Sequence, residues 1–298
     1  MQGSLSVERM CQLAQVSRAG FYRFLKEQSP KEEETQLRAR IQEIVLEHNR
    51  RYGIRRVTWQ LRAEGQIINH KRVARIMRED NLLAIRHRKF VATTDSRHEY
   101  QVYFNLAKRM ELTGINQLWV ADITYIRLRD EFVYLAVVLD AFSRRVIGWA
   151  LDRTLQARMP VEALLMAIAD RLPPPGLVHH SDRGSQYACP EYVRVLEAHR
   201  ITPSMSRPGC PYDNAACESF MKTLKQEEIY ANEYRDMEHL RVQLEQFLER
   251  YYNRLRMHSA LDYRSPEAFE AELKPGSESR AARVEFSQAW EIYRSDVA

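Results

Sequence analysis

The four cysteines (Cys11, Cys189, Cys210 and Cys217) form no C-x-x-C pair, and no histidines stand at zinc-finger spacing from them. Neither a structural zinc site nor a disulfide framework is therefore expected, and the thiols read as plain reduced side chains. No run of 18 apolar residues occurs, so no membrane-spanning helix is expected. The opening stretch MQGSLSVERMCQLAQ lacks the charged-then-apolar order of a secretory signal, which makes the cytoplasm the expected location. There is also no internal repeat. What remains is a chain of 298 residues, 45% hydrophobic and 29% charged, enough for two or three domains with a core in at least one. The net charge of +5 is unevenly spread. Residues 1–112 carry 22 Lys/Arg against 13 Asp/Glu, and residues 113–298 carry 23 against 27. A basic front fits a polyanion-facing surface, with DNA the first guess; a solvated helical surface fits the charge equally well.

In SVERMCQLAQVSRAGFYRFLK the apolar residues Val7, Met10, Leu13 and Ala14 precede a break at QVS, and Ala19, Phe21, Tyr22 and Leu25 follow it. This describes two short amphipathic helices joined by a tight turn, with Ser17 the N-cap of the second. Residues 1–30 thus read as a helix-turn-helix, whose second helix would present Arg18 and Arg23 to bases or phosphates. An ordinary helical hairpin has the same pattern. Residues 31–84 read as a second helical DNA-binding unit of three helices, punctuated by Gly53 and Gly65 and capped by Asn69. Arg55 and Arg56 belong to a cluster with Arg50, Arg51, Lys71, Arg72, Arg75 and Arg78 around its turns. Residues 85–112 lose clean periodicity and read as a basic linker able to lie along a phosphate backbone.

At Leu118 the period changes from helical to alternating. LWVADITYIRL and EFVYLAVVLDAFS, separated by RDE, read as a hairpin, with RVIGWALD as a third strand. A helix with Pro160 near its first turn then ends at PPPG. LVHHSD is a fourth strand, CPEYVRVLEAHR a helix and ITPSMS a short strand. Three antiparallel strands, helix, strand, helix, strand is the order of the α/β ribonuclease-H-like fold, placed here in residues 113–275 with further C-terminal helices. Residues 276–298 read as a tail.

Alternation sets Val120, Asp122 and Thr124 on one face of the first strand, where a buried carboxylate is costly unless something pairs with it. Asp182 closes the fourth strand, expected beside the first. Glu218 follows on the helix AACESFMKTLKQEEI, with 35 residues between it and Asp182. Three carboxylates converging from two strands and a helix make a hard oxygen site suited to Mg²⁺ or Mn²⁺. Two such ions about 4 Å apart serve in-line phosphodiester displacement. Lys222 and Lys225 share the helix face of Glu218; they face DNA phosphates, or Lys222 serves only as an i,i+4 ion-pair partner. Asn214, one turn before Glu218, shares that face and orients substrate or the carboxylate. Asp140 competes as a ligand but suits a turn better, His179 and His180 read as structural rather than metal ligands, and Cys217 reads as packing.

WVADITYI, LDAFSRRVIGW, HSDRGSQY, DNAACESFMKTLKQE and YYNRLRMHSALDYRSPEAF together resemble the DDE transposases of two-reading-frame insertion sequences, the IS-three family, relatives of retroviral integrases. The resemblance runs from about Arg38 to Phe269. It implies an integrase catalytic core of ribonuclease-H-like fold with Asp122, Asp182 and Glu218 as metal triad. It also implies transposition through a nicked 3′-hydroxyl that attacks another phosphodiester. Double-stranded DNA, as element ends and target, is the implied partner, with a homo-oligomer on that DNA; an upstream frame often supplies end recognition in this family, so the chain acts either alone or with that frame's protein, as partner or fusion. Tyr252, Asn253, Arg256 and His258 match the family's late motif, with a structural or DNA-facing part; Arg256 is expected on DNA. A nuclease that nicks without joining, and a DNA-binding regulator with an inactive core, are the alternatives.

Overall fold

The computed structural model describes residues 6–25, 32–84, 100–207 and 211–273, in two compact units, Met1–Ile85 and Arg86–Ala298.

The described residues of the first unit form helices and the turns between them. α1 (Val7–Leu13) is capped by Ser6, and α2 (Arg18–Leu25) by Ser17, whose Oγ accepts from the Gly20 amide at 3.0 Å. Three longer helices follow: α3 (Glu32–Glu47), α4 (Ile54–Ala63) and α5 (His70–Glu79). Asn69 caps α5 through the Lys71 amide at 2.9 Å, as its residue type predicts. Ile41, Ile44 and Val45 of α3, Val57 and Leu61 of α4, and Val73, Ile76 and Met77 of α5 are fully buried at i, i+3, i+4 spacing. Part of the expected basic face is spent inside the unit. Arg75 pairs with Glu34 at 3.1 Å and Glu79 at 3.0 Å, and Arg50 donates to the Asn81 carbonyl at 2.9 Å.

The second unit is built on a sheet of β1 (Leu118–Arg127), β2 (Phe132–Asp140), β3 (Val146–Asp152), β4 (Val178–Ser181) and β5 (Thr202–Met205), in the order β3-β2-β1-β4-β5. β1, β2 and β3 pair antiparallel; β4 joins β1 in parallel and β5 joins β4 in parallel. α6 (Arg158–Arg171), α7 (Ser185–Ala188) and α8 (Pro190–Ala198) connect these strands. One face of the sheet buries Trp119, Ala121, Ala136, Val138 and Ile147 against Met159, Leu164 and Ile168 of α6. The approach is close because Gly148 has no side chain: a Cβ there would stand 2.1 Å from the Ala163 carbonyl oxygen.

α9 (Ala215–Leu224) packs on β1 and runs into a π-helical turn through Ile229; α10 (Met237–Glu245) likewise continues as a π-helix, Gln246–Leu255, before α11 (Pro266–Leu273). Asn253 accepts from the Val146 amide at 3.0 Å and donates to its carbonyl at 2.8 Å. One side chain thereby pairs like a neighbouring strand and satisfies the outer edge of β3 where it is buried.

The expected linker is shorter than its sequence suggests. Within it, Tyr103 packs on the core of the second unit and the Leu106 amide donates to Ser204 Oγ at 2.9 Å. Residues 100–112 therefore belong to that unit, whereas 85–99 and the expected tail lie outside the described residues. Among the described residues no helix is long and apolar enough to cross a membrane.

Candidate active site

Period-2 alternation sends Trp119 and Ala121 toward α6, which leaves Val120, Asp122 and Thr124 on the opposite face of β1. Parallel pairing with β4 ends at Val120 with His180. Continuing that register two residues sets Asp182 level with Asp122. There Asp182 Oδ1 accepts from the Gly184 amide at 2.8 Å, an Asx-type turn that fixes the carboxylate as the chain leaves the strand. Glu218 lies exposed in the first turn of α9. Asn214, just before that helix, donates from Nδ2 to the Ala121 carbonyl at 3.0 Å. It is buried and turned to the backbone beside Asp122, so it registers the helix of Glu218 on the strand of Asp122. The Nδ2 contact is a positioning one, and Oδ1 of the same side chain is buried with no hydrogen-bond partner among the described residues.

The electrostatics mark the spot. Asp122 is half-buried, and its carboxyl is pushed up to about 7, first by loss of water and then by the charge of Asp182, with Glu218 adding to it. The Ile123 amide, which donates to it at 2.9 Å, and the Lys225 ammonium act the other way without prevailing. Burial also raises the Glu218 carboxyl and lowers Lys225. Among the described residues no three His, Cys, Asp or Glu side chains are closed around a point tightly enough to hold a metal ion as they stand. The three carboxylates nonetheless offer only oxygen, and the charges of Asp182 and Glu218 raise the cost of ionising Asp122, which is the environment a hard divalent cation relieves.

The other sequence-selected residues sort by exposure. Lys222 is exposed on α9, and Lys225 lies with its ammonium 5.3 Å from the centre of the Tyr125 ring. Arg18 and Arg55 are exposed at the starts of α2 and α4, and the side chain of Arg23 lies outside the described residues. Arg56 is half-buried with its guanidinium 5.4 Å from the Tyr52 ring centre. Asp140 accepts from the amides of Asn116, Phe142 and Ser143 at 2.6, 2.9 and 3.0 Å, the turn role its sequence suited. Both histidines are structural: His180 meets Ser204 and Ser206 hydroxyls at 2.8 and 3.0 Å, and His179 meets the Tyr192 hydroxyl at 2.9 Å. Cys217 is fully buried.

Arg256 departs from the expected DNA contact. It is buried and forms a forked pair with Glu227 at 2.7 and 2.8 Å, reaches Thr223 at 3.3 Å, and lies over the Tyr252 ring. An ion pair this dry ties the π-turn after α9 to the chain beyond the second π-helix. Arg256→Ala should cost about 3–5 kcal/mol of stability by depriving the largely buried Glu227 of this cation. Denaturant unfolding measures this, and a loss below about 1 kcal/mol would restore Arg256 to the surface.

Sequence reasoning passed over Gly184 and Tyr187. A Cβ on Gly184 would stand 3.0 Å from Asp182 Oδ1 and 3.1 Å from Gln186 Oε1, although its φ of −63° and ψ of 142° suit any residue. Gly184→Ala should therefore keep the fold and push the Asp182 carboxylate aside by a few tenths of an ångström, lowering DNA cleavage by about 10-fold, less than the roughly 10²-fold that a 1 Å misplacement costs. Unchanged cleavage would show that Asp182 tolerates the shift. The Tyr187 ring is buried beneath the site, where burial and the charges of Tyr192, Asp122 and Asp182 hold its phenol far up. Its signal in the sequence was only its place in HSDRGSQY.

Models described as integrase core domain match residues 113–211 and 199–266, and one described as HTH-like domain matches residues 31–90. A transposase for insertion sequence IS3A from Escherichia coli K12 is 37% identical over 90% of this chain and 95% of its own. An uncharacterised 31 kDa protein of insertion element IS600 from Shigella sonnei is 37% identical over 87% of this chain and 97% of its own. Among solved structures, a simian T-cell lymphotropic virus intasome aligns with TM-score 0.45 at 18% identity, covering 81% of this chain and 78% of that one. The HTLV-2 integrase catalytic core aligns with TM-score 0.40 at 17% identity, covering 52% and 97%. With an integrase core behind a helical HTH-like unit and relatives matched almost end to end, the chain belongs to the transposases of the IS3 family of insertion sequences.

Proposed function

We propose that this transposase cuts and joins DNA strands at the ends of its element, using Asp122, Asp182 and Glu218 as ligands for Mg²⁺ or Mn²⁺. The observation that carries the reading is the Asp122 carboxyl, pushed up to about 7 on a strand face that also receives the charges of Asp182 and Glu218. One or two divalent ions held there would supply activation of the attacking oxygen and stabilisation of the leaving oxygen. The chain's own groups do the rest. The Gly184 amide fixes Asp182 and the Asn214 amide fixes the start of α9, so the carboxylates keep their spacing while DNA arrives. Lys222 and Lys225, on the helix of Glu218, hold the phosphates flanking the reacting one.

Recognition falls to the helical unit, where Arg18, Arg23, Arg55 and Arg56 approach bases and phosphates. Joining two ends calls for two copies of the chain on one DNA assembly, and an upstream-frame protein is a further partner. The test is incubation of the full chain with duplex carrying its element's terminal repeats, with Mg²⁺ or with chelator. Metal-dependent nicked and joined products are expected. Nicks without joining would favour a nuclease, and binding without either would favour a regulator with an inactive core.

A further inference from the structure

β4 stops at Ser181 whereas β1 runs on to Arg127, so beyond Val120 the described residues give β1 a strand neighbour only on the β2 side. A cleft of about 330 Å³ opens there. Its walls are mainly aromatic and aliphatic: Tyr125, Phe132, Tyr134, Tyr187 and Leu155. Asp182 lines its end, and Gln186 closes one side by donating to the Leu155 carbonyl at 3.3 Å. Two cations stand over its aromatic groups, Lys225 at 5.3 Å from the Tyr125 ring centre and Arg127 at 5.7 Å from that of Phe132. Phe132 is 50% exposed at the mouth of the cleft and lies edge-on to the Tyr125 ring at 6.0 Å, so the two rings form a continuous aromatic wall that a flat ligand can reach.

We propose that this cleft takes one unstacked nucleobase of the DNA strand whose phosphate lies at Asp182. The proposal rests on the reading of Asp122, Asp182 and Glu218 as the strand-cutting site. A nucleotide is charged outside and flat and apolar inside, and the cleft is its complement: cations at the aromatic groups, ring faces within, and the Gln186 amide for the polar edge of the base. Because Asp182 belongs to both cleft and carboxylate group, a phosphate held there brings its own base within reach of the cleft. Drawing that base out of the stack bends the strand at the reacting phosphate and exposes it to attack. Stacking on rings tolerates any base, so the cleft positions the strand without reading sequence.

The test is a binding cycle on the full chain in Ca²⁺, with terminal-repeat duplexes that are intact or abasic at one nucleotide at a time across the cleavage position. Phe132→Ala should weaken binding to intact DNA by about 5- to 150-fold, the loss of one base–aromatic stack. On DNA abasic at the single nucleotide that enters the cleft, wild type and variant should bind alike, and Phe132→Trp should bind intact DNA as wild type does. An equal loss from Phe132→Ala at every abasic position, or no loss at all, overturns the proposal. So does a change in the variant's oligomeric state without DNA, which assigns the cleft to a second copy. Because the readout is binding, the two readings fail separately. Position-specific loss in a chain that neither nicks nor joins keeps the cleft and removes the chemistry. Normal nicking and binding by Phe132→Ala keeps the chemistry and removes the cleft.

Discussion

Asp122→Asn is expected to abolish nicking and joining, and at the same time to stabilise the metal-free protein above neutral pH. The first effect follows, on the proposed assignment, from removing one charge of the metal-binding carboxylates while keeping the shape, and a loss of about 10³-fold or more is the expected scale. The second follows from linkage. The Asp122 carboxyl rises from an ordinary 3.8 to about 7 in the fold, so its contribution to stability is full below the unfolded value and is lost as pH rises through about 7. Without divalent ion, wild type should therefore lose about 2–4 kcal/mol relative to the variant between pH 4 and pH 8. Thermal melts of both proteins in chelator at pH 5 and pH 8 measure the difference. Mg²⁺ at pH 8 should raise the wild-type melting temperature and leave the variant nearly where it was. An active Asp122→Asn variant, or one less stable than wild type at pH 8 in chelator, would contradict this.

Gly148→Ala should be the most damaging single substitution in the second unit. Its Cβ would lie 2.1 Å from the Ala163 oxygen and 2.9 Å from the Ala167 nitrogen, both main-chain atoms of α6. Neither can rotate away as a side-chain tip would, so α6 must lift from β3 and open the core that holds Trp119 and Ile168. Overpacking of this severity costs about 3 kcal/mol or more. Denaturant unfolding reads it directly; a midpoint within about 1 kcal/mol of wild type would mean that α6 does not sit on the sheet as described.

What was legible in the sequence was what local chemistry dictates. The strand alternation around Asp122, the caps at Ser17 and Asn69, and the turn role of Asp140 each depend on neighbours a few residues away, and the structure repeats them. The strand order followed because short connections leave few topologies. Arg256 was not legible: its partner Glu227 lies 29 residues earlier and meets it only after two π-helical segments have turned the chain. Residues 100–112 carry the charge of a linker, yet the contact that fixes them, Leu106 to Ser204, spans 98 residues. The aromatic cleft was hidden for a similar reason, since it arises from β4 being shorter than the strand it pairs with.

Whether the three carboxylates bind divalent metal together is measured most directly by Mn²⁺ titration of the full chain, followed by the electron paramagnetic resonance signal of the free ion, which requires no DNA chemistry. Wild type should remove one or two ions per chain from solution, and Asp122→Asn, Asp182→Asn and Glu218→Gln should each weaken that uptake, with nothing specific left in the triple variant. A triple variant that takes up Mn²⁺ as wild type does would place the metal elsewhere and contradict the assignment of Asp122, Asp182 and Glu218 as the metal-binding active site.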